Sequence, residues 1–143
     1  MRPLGKPMIG LEAEMKLIVS LEMTIGHLIA GMPYVYATPM MVLLMEMAAA
    51  SAIESSLPPG FTSVGMEVNV RHLAATPIGS AVRAIARVTC IDAKSVFFDV
   101  EAWNSVCKIG EGTHRRGIVN IRDFDKRFGG QGGGAGMTRH GIW

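Results

Sequence analysis

Alternating apolar and polar positions predict five β-strands in this chain. The pattern is clear where Val64, Met66 and Val68 alternate with polar or small residues, as in a strand with one buried face. The predicted strands cover residues 15–24, 64–72, 80–91, 95–104 and 108–121. Turn signals such as Asp92-Ala93-Lys94 separate the last four strands, so we expect those four to form an antiparallel meander.

The longest apolar segment, residues 34–56, predicts one long helix. From Met40 to Ile53 its apolar residues follow no single stripe, which is typical of a helix enclosed on all sides in a core. Thr38 followed by Pro39 predicts the N-terminus of this helix, with the Thr38 side chain as its cap. A strand, a buried helix and a run of antiparallel strands predict an α+β fold in which a curled sheet wraps one central helix.

Length and charge restrict the class of protein. The chain has 143 residues and a formal net charge of +2, with scattered basic residues, so we predict one domain at 1–128 and no nucleic-acid partner. The start of the chain lacks the long apolar stretch of a secretory signal. Gly31, Pro33 and Pro39 shorten the apolar segment, so no membrane span is predicted. A cytoplasmic location is expected.

The cysteines and the C-terminal tail suggest no further chemistry. Cys90 and Cys107 lack CxxC spacing, so we predict buried thiols in a reducing compartment, with no metal site and no cofactor. Residues 129–143 form a glycine-rich tail without the Lys-Ser or Lys-Thr of a phosphate-binding loop. His27 is expected in a loop and is given no role.

One carboxylate, that of Glu46, stands inside the apolar helical segment. The residues one turn away along the helix are all apolar: Val42, Leu43, Ala49 and Ala50. Burial disfavours a charged carboxylate that has no partner, which points to a catalytic or ligand-facing group. A glutamate at the one wet edge of the helix is the simpler alternative.

Three separated blocks of the sequence resemble a known family. They are VYATPMMVLLMEM (35–47), VGMEVNVRHLAATPIG (64–79) and GEGTHRRGIV (110–119). They resemble the hotdog-fold thioesterases of the fluoroacetyl-CoA thioesterase type, and the resemblance covers roughly residues 15–128. It implies a hotdog fold and the hydrolysis of an acyl-CoA, with a catalytic group at each of Thr38, Glu46 and His72.

The same resemblance implies which residues bind the substrate. Gly65 would face the thioester, and Arg116 would lie near the acyl-CoA entrance. Val35, in the first block, and Met32 are assigned to the substrate site. Because the phenylalanine lid of the fluoroacetyl-CoA enzyme is replaced around Met32, a general short-chain acyl-CoA is the expected substrate.

The chemistry of thioester hydrolysis assigns a task to each candidate. Glu46 would either attack the carbonyl or deprotonate water, and the sequence leaves both routes open. His72 is the natural proton shuttle. Thr38 would orient His72 or bind the substrate, while backbone N–H groups at the helix start or at Gly65 would receive the carbonyl oxygen.

The spacing of Thr38 and Glu46 raises the question of where the site is completed. Eight residues on one helix span roughly 12 Å, so one hydrogen bond cannot join the two side chains. Either His72 stands between them, or Thr38 of one protomer serves Glu46 of another. The strand that ends at His72 is expected to pair with a second copy, which favours a site at the interface of a homodimer or of a dimer of dimers.

Simpler interpretations remain for each residue. Thr38 would be a helix cap and nothing more, and His72 a structural residue at a strand end. His114, Arg115 and Arg116 would form a solvated strand face. The alternative function is a non-catalytic acyl-CoA-binding or sensing module on the same fold.

Overall fold

One antiparallel sheet and one long helix make up most of residues 7–129, the part of the chain described by the structure, a computed structural model. The strands are β1 (Glu12–Ile18), β2 (Phe61–His72), β3 (Ala81–Ile91), β4 (Ser95–Trp103) and β5 (Lys108–Asn120). The helices are α1 (Ile25–Leu28), α2 (Thr38–Glu54) and α3 (Ile121–Phe128). The predicted tail after residue 129 lies outside the described residues, and the proposed domain boundary stays a prediction.

The order of strands in the sheet is β1-β3-β4-β5-β2, and every neighbouring pair is antiparallel. Strands β3, β4 and β5 follow one another through turns, as predicted. The predicted meander of the last four strands is wrong, because β2 pairs with β5 at the far edge and not with β3. Residues 73–80 connect β2 to β3, and this connection is longer than a tight hairpin loop.

The core lies between α2 and one face of the sheet. Inward positions on β3 alternate as predicted, with Val82, Ala84 and Ala86 buried. The buried side of α2 is apolar: Met41, Leu44, Met45, Ala48, Ala49, Ala52 and Ile53. Alanines on both surfaces let the helix and the sheet approach closely. The predicted α+β architecture of about five strands around one long helix is confirmed.

The outer side of α2 departs from the sequence prediction. Leu43 is 46% exposed and Met47 is 44% exposed, so the helix is not enclosed on all sides within one copy of the chain. Periodicity predicted full burial because the outer side of the helix is also apolar. None of the helices in residues 7–129 is long and apolar enough to cross a membrane.

Two predictions around β1 and β3 are wrong. β1 ends at Ile18, and the region predicted to continue as strand and loop holds a 3₁₀ turn and α1, which contains His27. The α1 N-terminus is capped by Thr24, whose Oγ1 accepts a hydrogen bond from the His27 N–H.

Cys90 is exposed and Cys107 is partly exposed, whereas both were predicted to be buried. A register shift between Val88 and Cys90 interrupts the alternation that had placed Cys90 inside.

A last helix, α3, follows β5 directly and was not predicted. The Asn120 side chain caps it by accepting a hydrogen bond from the Asp123 N–H. Its last turn carries Lys126 and Arg127, which complement the helix dipole. Gly129 ends the helix with a φ of 93°, in the left-handed region that glycine adopts readily.

Neighbouring phenylalanines on β4 provide a test of which sheet face is the core. Phe98 is fully buried, whereas Phe97 is partly exposed on the opposite face. Phe98→Ala should lower the free energy of unfolding by about 3–5 kcal/mol, because it leaves a cavity in the core. Phe97→Ala, the matched control, should cost clearly less. Urea unfolding measures both, and equal losses would contradict this assignment of the two faces.

Candidate active site

Thr38 and His72 are joined by a hydrogen bond. The distance between Thr38 Oγ1 and His72 Nδ1 is 2.7 Å. Thr38 is the first residue of α2, while the cap position is Ala37, which makes no side-chain capping bond. The predicted role of Thr38 as helix cap is therefore wrong, because its hydroxyl is turned towards the end of β2. This contact fixes the orientation of the imidazole ring.

Met32 and Val35 lie around the same cavity as the Thr38–His72 pair. The cavity has a volume of about 440 Å³. Its wall also includes Leu73, which follows β2, and Tyr36. Tyr36 is buried at 1% exposure, and its hydroxyl donates to the carbonyl of Met40 at 3.2 Å. Burial raises the pKa of Tyr36 to about 12, so this wall carries no charge near neutral pH.

Glu46 lies against a different part of β2. A Cβ atom on Gly65 would overlap Glu46 Oε2, so the absence of a side chain at Gly65 creates the space for the carboxylate. Glu46 Oε2 also lies 3.6 Å from Arg116 Nη1. The side chain of Glu46 is 33% exposed, so the carboxylate has both a cationic partner and access to solvent. The sequence predicted apolar helix neighbours around Glu46 and did not predict that Arg116 lies beside it.

Arg116 is held from several directions on β5. Its Nε donates to Ser63 Oγ at 2.8 Å and its Nη2 donates to the Ser63 carbonyl at 3.0 Å. Its Nη1 lies 3.2 Å from His114 Nε2. Arg116 is 8% exposed and His114 is 3% exposed. The interpretation of these two residues as part of a solvated strand face is therefore wrong.

The predicted site residues thus form two separate groups. No hydrogen bond or ion pair between described residues joins Glu46 to Thr38 or to His72. The two positions on α2 are roughly 12 Å apart along its axis. From Gly65 to His72, an extended strand such as β2 covers roughly 20 Å. His72 contacts Thr38 but does not bridge it to Glu46.

Burial controls the electrostatics of both groups. Burial lowers the pKa of His72, and the backbone of Ala74 partly offsets this effect. The pKa of His114 is lowered mainly by burial and further by the charge of Arg116. Both imidazoles are therefore neutral at neutral pH. Burial also lowers the pKa of Arg116, with Glu46 opposing the shift, and a guanidinium remains charged throughout the physiological range.

The contacts of His114 and Ser63 with Arg116 were not predicted from the sequence. A signal for His114 was present, because it lies two and four positions before Arg116 and Ile118 on one strand. Period-two alternation from the apolar Ile118 places all three on one face. Within residues 7–129, no group of three or more His, Cys, Asp or Glu side chains could hold a metal ion.

Comparisons with known proteins identify the family. The family model described as fluoroacetyl-CoA-specific thioesterase matches residues 19–122. The fluoroacetyl-CoA thioesterase of Streptantibioticus cattleyicolor is 34% identical over 116 residues, covering 77% of this chain and 84% of that protein. A solved structure of the fluoroacetyl-CoA thioesterase has a TM-score of 0.80 at 32% identity, covering 84% of this chain and 93% of the other.

A more distant structure shows the fold alone. The hot-dog-like protein from Thermanaerovibrio acidaminovorans has a TM-score of 0.76 at 24% identity, covering 86% of this chain and 94% of the other. The predicted hotdog fold is confirmed. With one model and one relative matching most of its length, this chain belongs to the fluoroacetyl-CoA-specific thioesterase family.

Proposed function

We propose that this protein hydrolyses a short-chain acyl-CoA to the free acid and CoA. The observation that carries the proposal is the Thr38–His72 hydrogen bond of 2.7 Å at the wall of a cavity, in a chain of this family. The cavity beside this pair, about 440 Å³ in one copy of the chain, has room for a short acyl group. Met32 and Val35 would contact that group.

The complete site, in this proposal, is built from two copies of the chain. β2 is an outer strand of the sheet, and Glu67, Val68 and Asn69 in its middle are exposed. An outer strand can pair with the same strand of a second copy about a two-fold axis. An antiparallel register with the two-fold axis at Asn69 would set His72 of one copy opposite Met66 of the other, next to Gly65. Glu46 lies beside Gly65.

The outer side of α2 supports the same homodimer. Leu43 and Met47 present exposed apolar surface next to Glu46 on this helix. Exposed apolar surface of this kind is typical of a protein interface. Assembly of two such dimers into a dimer of dimers would leave the two-copy site unchanged.

The proposed mechanism divides the work between the two groups. Glu46 either takes a proton from the water that attacks the thioester, or attacks the carbonyl itself to form an anhydride that water then cleaves. In both routes the carbon–sulfur bond breaks, and the thiolate receives a proton through His72. The hydroxyl of Thr38 holds the His72 ring for this transfer. The N-terminus of α2 places positive potential near the developing oxyanion.

Arg116 has a supporting part in this mechanism. Its Nη1 lies 3.6 Å from Glu46 Oε2, so it orients the carboxylate towards the thioester carbonyl. We propose that Arg116 lies at the entrance of the acyl-CoA site. Gly65 leaves room for the carboxylate and the thioester on the same side of β2.

A cytoplasmic location is part of the proposal. Cys90 is an exposed free thiol and Cys107 is a partly exposed one. Free accessible thiols are typical of proteins in a reducing compartment.

Replacement of the proposed base or nucleophile tests the enzymatic function. Glu46→Gln should lower kcat/KM for the best substrate by about 10²–10⁴-fold, because the amide neither attacks nor accepts the proton. The measurement is thiol release from CoA thioesters of increasing acyl length. Glu54→Gln, on the exposed end of the same helix, is the matched control and should retain full activity. Tight acyl-CoA binding without turnover in the native protein would favour the binding module.

Mixed dimers test whether the site spans two copies. Glu46→Gln and His72→Ala should each be inactive alone. Co-expressed, they should recover about a quarter of the native activity, because half of the dimers would contain one intact site of two. Purification through two different affinity tags measures the mixed dimer directly. No recovery in the purified mixed dimer would show that each copy contains its own complete site.

A further inference from the structure

His114 is a buried imidazole whose two ring nitrogens have unambiguous partners. Its Nδ1 lies 2.8 Å from the carbonyl oxygen of Glu67, and its Nε2 lies 3.2 Å from Nη1 of Arg116. A carbonyl oxygen only accepts hydrogen bonds, and a guanidinium only donates them. Nδ1 must therefore carry the proton and Nε2 must be unprotonated. The two contacts specify one neutral tautomer of His114.

The backbone of β2 supplies the acceptor through an irregularity in the sheet. Gly65 pairs with Arg116 and Glu67 pairs with Arg115, so Met66 is the extra residue of a β-bulge. The carbonyl of Glu67 follows directly after this bulge and receives the His114 Nδ1–H. On the other side, the ring of Phe98 stacks on His114 with centroids 6.0 Å apart. The imidazole is thus fixed by both neighbouring strands.

His114 and Ser63 together determine where the Arg116 guanidinium points. Ser63 accepts from Nε and Nη2, and His114 accepts from Nη1. Nη1 is also the atom nearest to Glu46, at 3.6 Å from Oε2. One guanidinium nitrogen is thus shared between the imidazole and the proposed catalytic carboxylate.

We propose that neutral His114 is a positioning residue that acts through Arg116 to hold the Glu46 carboxylate in its reactive orientation. The inference rests on the proposed function, because Glu46 is the group that it serves. A charged imidazole would have an N–H at Nε2, directed at a guanidinium that offers no lone pair. That state would break the contact and repel Arg116.

The surroundings of His114 favour the neutral form. Burial is the main cause that lowers its pKa, and the cation of Arg116 on the same strand lowers it further. The Glu67 carbonyl on β2 and the Glu46 carboxylate on α2 oppose the shift. Phe98 on β4 contributes no charge. Since the folded protein favours the neutral imidazole, its contribution to stability is present above about pH 6.5 and is lost as the pH falls.

The tautomer of His114 is directly measurable in the native protein. Nitrogen chemical shifts of ¹⁵N-labelled imidazoles at pH 7.5 should show His114 neutral and protonated at Nδ1, with the exposed His27 as internal reference. A charged ring, or a proton at Nε2, would overturn the inference. This measurement needs no substrate, so it tests the protonation of His114 even if acyl-CoA hydrolysis is not found.

A double-mutant cycle tests whether His114 acts through Arg116. His114→Leu should lower kcat/KM by about 10–100-fold, since small displacements of a catalytic group have effects of this size. In the Arg116→Met background the same change should have no further effect. Equal losses in both backgrounds would mean independent roles and would overturn the proposal. His27→Leu is the control and should leave kcat/KM unchanged.

A conservative replacement separates positioning from folding. His114→Gln keeps one donor and one acceptor, so it should retain activity within about threefold of the native protein. If His114→Leu does not fold, as judged by circular dichroism and urea unfolding, His114→Ala takes its place in the cycle. A folded His114→Gln protein as impaired as Arg116→Met would contradict the inference.

Discussion

The burial of one guanidinium between α2 and the sheet is the constraint on which the candidate site depends. Arg116 is 8% exposed, and a buried charge is costly unless it is paired and hydrogen-bonded. Ser63 provides two acceptors, His114 provides a third and Glu46 provides the opposite charge. Gly65 admits the carboxylate because it has no side chain. Each of these residues is thereby restricted in type, in orientation or in protonation.

The sheet topology determines how the two groups of site residues relate to each other. β2 carries Gly65 in its first half and His72 at its end, so one strand positions both groups. Its outer position leaves one edge unpaired in a single copy. The outer side of α2, with Leu43 and Met47, is apolar and also exposed. The proposed homodimer rests on these two features, an unpaired strand edge and an exposed apolar helix face.

Local sequence patterns predicted the long helix and the strands, but they did not predict which strands lie next to each other in the sheet. The apolar segment before Pro58 predicted α2, and alternation predicted β2 to β5 to within a few residues, whereas β1 ends six residues before its predicted end. The sheet order was mispredicted because turn residues such as Pro77 and Gly79 indicate a change of direction and not a partner strand. Thr38 has the chemistry of a cap, yet its hydroxyl binds His72, which is remote in sequence.

The sequence by itself determined the α+β class, the long helix, the family and the identities of Thr38, Glu46 and His72 as residues of interest, because periodicity and motif blocks are local properties. Tertiary structure alone decided that Glu46 has a cationic partner and that His114 is buried. It also decided that β2 lies at an edge. These features depend on which strands become neighbours, and that choice is made by packing the whole sheet against α2, which no single segment of the chain encodes.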